Sequence, residues 1–167
     1  VGVYNLCMRM LSIPVGMLTN ALGEVFKQRA ALDYNEFGTC RNIFIKTLKL
    51  LTVFSILLLV FVSIFSKVLF TTFFGVEWEE AGFFAKILVW LVCFQLVVSP
   101  LTYVYIIARK LLENLLLHIY ILLSSLVIFV IGFKLTTNFK YVIVSYVINY
   151  CFVYLIYLFR SYKFSAK

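Results

Sequence analysis

The fold of this protein is decided by the stretch LLTVFSILLLVFVSIFS, residues 50–66, which contains no charged residue. A bilayer core about 30 Å thick is crossed by a helix of about 20 apolar residues. The stretch does not alternate apolar and polar residues as the strand of a membrane barrel does. Because only helices and closed barrels satisfy all backbone polar groups inside lipid, the stretch predicts a transmembrane helix.

Three further charge-free runs follow, at residues 87–108, 114–133 and 141–159. The 167 residues are 64% apolar and 13% charged, whereas soluble domains have about 45–50% apolar and about 25% charged residues. A water-soluble fold of this size could not bury so much apolar surface. We therefore predict an all-α integral membrane protein with short loops and no soluble domain.

The opening segment, residues 4–26, is less apolar because it contains Arg9, Pro14 and Glu24. Its small and polar residues recur at alternating spacings of three and four, which places them on one stripe of a helix. This α1 stripe consists of Gly2, Asn5, Arg9, Ser12, Gly16, Thr19 and Gly23. Polar groups that face lipid are costly, so the stripe is expected to face protein or a water-filled cavity. We also expect Pro14 to kink the helix.

The sequence thus predicts five transmembrane helices, at residues 4–26, 50–68, 87–108, 114–133 and 141–159, within one membrane domain that covers residues 1–167. The chain opens on Val1 without a starting Met or a signal peptide. We therefore expect it to continue a longer polypeptide with an odd number of preceding spans.

The orientation in the membrane is predicted from Lys and Arg, which are enriched in cytoplasmic loops. Ten of these residues fall on one side: Lys27, Arg29, Arg41, Lys46, Lys49, Arg109, Lys110, Arg160, Lys163 and Lys167. Four fall on the other side: Lys67, Lys86, Lys134 and Lys140. The bias predicts a cytoplasmic carboxyl terminus, a cytoplasmic loop at residues 27–46 and an external loop at residues 70–86. The external loop contains the acidic residues Glu77, Glu79 and Glu80.

Arg9 is the residue that points most directly to a function. A guanidinium about two turns inside a span costs at least about 2.5–3.5 kcal/mol unless it has partners. Its planar and permanently charged group suits phosphate or carboxylate, which indicates an anion or an aqueous path. The alternative interpretation is that Arg9 extends to the outer interface of the membrane.

Amides and hydroxyls inside the predicted spans form two further groups. Gln95, Ser99 and Thr102 share one face of the third span, and Ser145 and Asn149 share one face of the last. Cavity lining would explain both groups, and so would hydrogen bonds between helices.

Two ionisable residues also have two interpretations. Glu24 could couple transport to an ion, or it could form a local interfacial ion pair with Lys27 or Arg29. His118 could relay protons, or it could be a hydrogen-bonded packing residue.

Several classes of protein are not indicated by the sequence. Cys7, Cys40, Cys93 and Cys151 are isolated from one another, which favours ordinary packing over disulfide or zinc roles. Nucleophile–base pairs, phosphate-binding glycine loops and metal-ligand clusters are absent from the sequence, so we expect no enzyme activity, cofactor or metal. The basic residues lie between apolar runs without a stacking platform, so nucleic acid is not an expected partner.

Three stretches are similar to one known family. They are VGVYNLCMRMLSIPVGMLTNALGEVF (residues 1–26), FGVEWEEAG (residues 74–82) and SPLTYVYIIARK (residues 99–110). In order and spacing they resemble the eighth helix, the external turn after the ninth helix and the end of the tenth helix of the O-antigen flippases. These are polysaccharide exporters of the flippase superfamily that includes the multidrug-and-toxin-extrusion proteins. Lys27 and Ala108 depart from the pattern, where a proline or aromatic residue and a glycine are usual.

The resemblance implies a fold of about twelve helices in two six-helix lobes around a cavity, of which this chain supplies part of the second lobe. It implies a flippase that moves undecaprenyl-diphosphate-linked oligosaccharide, an O-antigen or related polysaccharide unit, across the bacterial inner membrane by alternating access. The expected partners are the lipid bilayer, this cargo and the preceding part of the same polypeptide.

The residues expected to line the cavity are Arg9, Asn5, Ser12, Gln95, Ser99 and Asn149, with Arg9 placed to contact the diphosphate. Three alternatives remain open. One is a drug or cation exporter of the same superfamily. The second is a membrane-embedded polysaccharide polymerase or glycosyltransferase, and the third is a structural membrane subunit.

Overall fold

The structure is a computed structural model that describes residues 2–75, 79–135 and 139–166. For residues 2, 3, 6, 73, 74, 79–81, 133, 135 and 139 it describes the backbone alone. The described residues form six helices: α1 (Gly2–Phe37), α2 (Arg41–Phe74), α3 (Glu79–Leu101), α4 (Tyr103–Ile107), α5 (Leu111–Leu135) and α6 (Phe139–Ser165). The prediction of an all-α membrane protein is confirmed.

Within the described ranges, four segments are long and apolar enough to cross a membrane: Arg41–Thr72, Gly82–Ile107, Leu111–Gly132 and Lys140–Ser165. They overlap the last four predicted spans, and the first begins nine residues earlier than predicted. Helix α1 has 36 residues, or a length of about 54 Å at 1.5 Å per residue. Helix α1 is not among these four apolar segments, so the span at residues 4–26 stays a prediction.

The link at residues 27–46 was predicted as a loop, and this is wrong. Helix α1 continues to Phe37 and α2 begins at Arg41, so the turn consists of residues 38–40. Gly38 has φ 69°, a left-handed conformation that commonly ends helices. Hydropathy reports where a helix lies in lipid, whereas Lys, Arg, Gln and Glu continue a helix readily outside it.

The predicted external loop at residues 70–86 is also largely helical. Helix α2 continues to Phe74, Gly75 has φ 94°, and α3 begins at Glu79. Glu77 and Trp78 lie outside the described residues, as do the side chains of Glu79 and Glu80 and all of Lys167.

The third predicted span is interrupted near its carboxyl end, because α3 and α4 are separated at Thr102. The Thr102 N–H donates to the Val98 carbonyl over 3.1 Å, and the Tyr105 N–H donates to the Thr102 carbonyl over 3.0 Å. The second bond spans three residues, which tightens the helix after Pro100. The chain then turns through Arg109, whose φ of 55° is unusual for a residue other than glycine.

Helix α3 lies at the centre of the bundle, where it packs against α1, α2 and α6, while α5 packs against α6. Two clusters of buried residues follow α3. One contains Cys7 and Leu11 of α1 and Ile143 of α6. The other contains Phe26 of α1 and Tyr157 of α6. We call the half with the second cluster the basic end, because the described members of the ten-residue basic set lie there, on helix segments and, for Arg109 and Lys110, in the turn between α4 and α5.

Close contacts tie the central helix to α2. The Ser55 hydroxyl donates to the Cys93 carbonyl over 3.3 Å, and the Cys93 thiol donates to the Ser55 carbonyl over 3.2 Å. A Cβ added to Gly82 would lie 3.0 Å from the Lys67 Cα. Small residues at these positions allow the two backbones to approach, as is typical of membrane helices.

The turn between α1 and α2 is tied to the end of α6. The Cys40 N–H donates to the Ser165 carbonyl over 3.0 Å. The Arg41 guanidinium donates to the Tyr162 hydroxyl. The four cysteines, which all lie among the described residues, form no disulfide, and Cys40 is buried. Burial raises the pKa of the Cys40 thiol, and the nearby Asp33 carboxylate adds to the rise.

Candidate functional site

The α1 stripe has different surroundings in its two halves. Residues that α1 buries against α3 recur every four positions in its first half, at Cys7, Leu11 and Val15. A spacing of four drifts around a helix of 3.6 residues per turn. The buried face and the stripe therefore lie on different sides near Arg9 and coincide further along, at Thr19.

In the second half of the stripe, small residues make packing contacts. A Cβ added to Gly23 would lie 2.9 Å from the Tyr103 ring and 3.8 Å from the Pro100 Cα. The Thr19 hydroxyl is buried and donates within its own helix, 2.9 Å from the Val15 and Gly16 carbonyls. Thr19 and Gly23 therefore face protein, whereas a Cβ added to Gly16 would meet nothing within 4 Å.

In the first half, the polar side chains are uncovered. Asn5 and Arg9 are exposed, and Ser12 is half-buried. The Arg9 guanidinium makes no hydrogen bond or ion pair with any residue in the described part of the chain. A free guanidinium at this position is available to an anion or to the membrane interface, and both interpretations of Arg9 remain.

The other residues predicted to line the cavity differ in their exposure and in their partners. Gln95 is half-buried and Ser99 is exposed on α3. The Thr102 hydroxyl donates to the Ser99 carbonyl over 2.7 Å, which is a bond within the chain turn and not between helices. These side chains lie toward the basic end of α3, whereas Arg9 lies in the other half of α1.

Asn149 has a structural partner. Its side-chain amide donates to the Ser124 hydroxyl over 2.9 Å and links α6 to α5. The interhelical hydrogen bond considered for Asn149 is confirmed. Ser145 is exposed and makes no such bond with the described residues.

The local ion pair considered for Glu24 is not formed. Glu24 is exposed, and it has no ion pair with another described residue. The Lys27 ammonium instead lies 5.5 Å from the centre of the Tyr103 ring, a cation–π contact between α1 and α4.

His118 takes part in a hydrogen-bonded contact between α5 and α6. Its Nδ1 lies 2.6 Å from the Tyr157 hydroxyl oxygen and 2.9 Å from the Asn114 carbonyl oxygen. One turn away, Arg160 of α6 forms an ion pair with Glu113 of α5. His118 is therefore a hydrogen-bonded packing residue, and its role in proton transfer stays a hypothesis.

A row of tyrosines on α6 was not among the candidates predicted from the sequence. The ring centres of Tyr146 and Tyr150 are 4.6 Å apart, and those of Tyr150 and Tyr154 are 5.8 Å apart. Tyr4 of α1 packs, like Tyr146 and Tyr150, against the cluster of buried residues that contains Cys7 and Ile143. The spacing of four residues is visible in the sequence. The tyrosines lie within an apolar run, however, so neither charge nor hydropathy distinguishes them from their neighbours.

A comparison with known proteins gives one match. Residues 1–83, which include α1, α2 and the start of α3, match the model of a family described as polysaccharide biosynthesis protein. No curated protein and no solved structure matches the chain. The matched region contains two of the three stretches that resemble flippases, and residues 99–110 lie beyond it. Over residues 1–83 the chain is similar to polysaccharide biosynthesis proteins, which, with its membrane-spanning helices, supports a polysaccharide-related function in a membrane.

Proposed function

We propose that the complete protein containing this chain is a flippase for undecaprenyl-diphosphate-linked oligosaccharide in the bacterial inner membrane. The observation that carries the proposal is the exposed, polar first half of the α1 stripe, within the region that matches polysaccharide biosynthesis proteins. Such a surface suits a water-filled cavity better than lipid, because polar groups facing hydrocarbon are costly.

Arg9 supports a diphosphate as the recognised group. A guanidinium binds two phosphate oxygens at once through parallel N–H donors, and these charge-assisted bonds are stronger than neutral ones. The absence of a partner for Arg9 among the described residues leaves its donors free for a ligand. The cargo moves between leaflets by alternating access, without a covalent step.

The test is lipid-linked oligosaccharide export by the complete protein in cells that lack their own flippase. We expect Arg9→Ala to abolish most of the export and Arg9→Lys to retain part of it, because lysine keeps the charge but loses the paired donors. Arg29→Ala is the matched control, since Arg29 is exposed on α1 outside the predicted span. Equal amounts of each variant in the membrane must be established by immunoblotting.

Wild-type export by Arg9→Ala would overturn the role of Arg9 and leave the stripe as a packing surface. Export of cationic drugs without export of oligosaccharide would favour the alternative exporter. If polymerised polysaccharide is lost while lipid-linked units still cross the membrane, the result would favour a polymerase.

The proposed orientation follows from the ten-to-four distribution of basic residues, with the carboxyl terminus in the cytoplasm. Reporter fusions after Lys167 and between residues 76 and 78 should report opposite compartments, with the first cytoplasmic. The same compartment for both fusions would contradict the orientation.

A further inference from the structure

A groove runs between α1 and α2. Both helices pack extensively against α3 but make few contacts with each other, which leaves a crevice between them. The crevice holds two cavities of about 540 and 530 Å³. Pro14, Leu58 and Phe61 line both cavities, so the two are continuous. We call this feature the α1–α2 groove.

The walls of the groove are almost entirely apolar. Its outer part is lined by residues that include Met10, Val62 and Phe70, and its inner part by residues that include Leu18 and Phe54. Because α2 is long and apolar enough to cross a membrane and the groove walls are apolar, contact with lipid suits the groove better than contact with water. An apolar chain is therefore the class of ligand that it fits.

The length of the groove favours a polyprenyl chain over the acyl chain of a phospholipid. Along α2 it extends from Phe54 to Phe70, which is about 24 Å at 1.5 Å per residue. One leaflet contributes about 15 Å of a hydrocarbon core that is about 30 Å thick. A phospholipid acyl chain ends near the midplane, whereas a polyprenyl chain is long enough to follow the groove through both leaflets.

A second observation lies at the outer end of the groove. Ser66 lines the outer cavity and is 1% exposed, and its hydroxyl has no hydrogen-bond partner among the described residues. A buried hydroxyl without a hydrogen-bond partner is destabilising, because it has lost its hydration without replacement. Ser66 lies near the outer limit of the predicted span at residues 50–68, which is the depth at which a lipid phosphate meets the hydrocarbon.

We propose that the α1–α2 groove binds the polyprenyl chain of a polyprenyl phosphate, with Ser66 donating a hydrogen bond to an oxygen at its head. This inference rests on the proposed function for the source of the lipid. It is compatible with Arg9 as a headgroup contact, because Arg9 directly precedes Met10, whose side chain lines the groove.

The experiment is photo-crosslinking of the complete protein in phospholipid nanodiscs. The probe is undecaprenyl phosphate with a diazirine near the middle of its chain, and the crosslinked residues are located by mass spectrometry. The comparison probe is phosphatidylethanolamine with a diazirine in one acyl chain. We expect the polyprenyl probe to label the groove walls of α1 and α2, and unlabelled undecaprenyl phosphate, but not geranyl phosphate, to compete.

Two variants test the site itself. Leu58→Trp fills the point shared by both cavities, and we expect it to lower groove labelling about tenfold, because excluding two methylene-sized groups removes about that much affinity. Ile56→Trp is the matched control, since Ile56 is 56% exposed on α2 and does not line the groove. Ser66→Ala keeps the apolar wall and should lower competition by undecaprenyl phosphate more than competition by undecaprenol. Thermal denaturation of each purified variant establishes that it is folded.

Each outcome decides the question. Groove labelling that competes as stated supports the proposal, even if the protein exports no oligosaccharide, which would instead count against the proposed function. Three results would overturn the groove assignment without contradicting the proposed export function. They are equal groove labelling by the phospholipid probe, labelling spread over all lipid-facing helices, and no effect of Leu58→Trp.

Discussion

Helices α3 and α5 are both apolar and of similar length, with 23 and 25 residues, yet they occupy opposite environments. More than half of the apolar segment that begins in α3 is buried, whereas none of the described apolar segment in α5 is. Hydropathy measures the tendency of a helix to enter lipid, and in this respect the two are alike. Their positions differ because lipid and protein interiors are equally apolar, so close packing of small residues decides which helix is central.

Two glycines illustrate this difference. A Cβ on Gly82 of α3 would lie 3.0 Å from the Lys67 Cα and 3.2 Å from the Lys67 backbone nitrogen. A Cβ on Gly132 of α5 would lie 2.9 Å from a methyl group of Val142. The clash is about equally short in both places, but at Gly82 it is with the backbone of a packed helix, whereas at Gly132 it is with the methyl groups of the buried Val142 side chain, which can shift by a few tenths of an ångström at a smaller cost.

The largest expected effect is therefore a contrast between Gly82→Ala and Gly132→Ala. We expect the first to lower the free energy of unfolding by about 1–2 kcal/mol, because overpacking costs about 1–3 kcal/mol and alanine regains part of it through helix propensity. For the second we expect a smaller loss, of less than about 1 kcal/mol, because the gain in helix propensity offsets part of the cost of shifting the Val142 side chain. Unfolding in mixed detergent micelles measures both. Equal destabilisation would show that α5 is packed as firmly as α3.

A smaller effect is expected from the hydrogen bond that attaches α5 to α6. Asn149→Ala should lower the free energy of unfolding by about 0.6 kcal/mol, the average for hydrogen bonds between membrane helices. Ser124→Ala and the double variant complete a double-mutant cycle that isolates the pair. A coupling energy near zero would mean that the bond between Asn149 and Ser124 contributes nothing to the attachment.

The smallest effect is expected at the ion pair between Glu113 and Arg160. The Arg160 side chain is half-exposed, and exposed ion pairs contribute about 0–1 kcal/mol. Glu113→Gln should therefore change stability by less than about 0.5 kcal/mol, and the difference should vanish as salt screens the charges. A large loss of stability that persists in high salt would show instead that the ion pair is shielded from water and contributes strongly to the attachment of α5.

The fold was predictable from the sequence where it depends on hydropathy. Three of the four charge-free runs each lie in one helix, and the run at residues 87–108 lies mostly in α3 and α4, because lipid leaves an apolar segment few alternatives. The continuation of α1 to Phe37 was not predictable in this way, since residues that lie outside lipid remain helical without an apolar signal. Thr102 also interrupts the third apolar run, and although Pro100 indicates an irregular helix there, a charge-free run does not by itself report the break.

The candidate site was predictable only in part. The spacing of Asn5, Arg9 and Ser12 marks one face of α1, because helical periodicity relates sequence to surface. Asn149 looked equally suited to a cavity, but its bond to Ser124 depends on how α5 and α6 meet, which spacing along one helix does not report. The α1–α2 groove could not be predicted for a similar reason, because apolar residues that line a groove and those that face free lipid have the same composition.

The attachment of the α1–α2 turn to α6, through Cys40 and Ser165 and through Arg41 and Tyr162, has a mechanical consequence. Helix α1 is held firmly at the end near Phe37, and Arg9 lies about 42 Å away along the axis. A tilt of about 10° around the held end would move the Arg9 backbone by about 7 Å, estimated from the helix rise. The turn thus has the position of a fulcrum, and the guanidinium lies on the long arm of the lever.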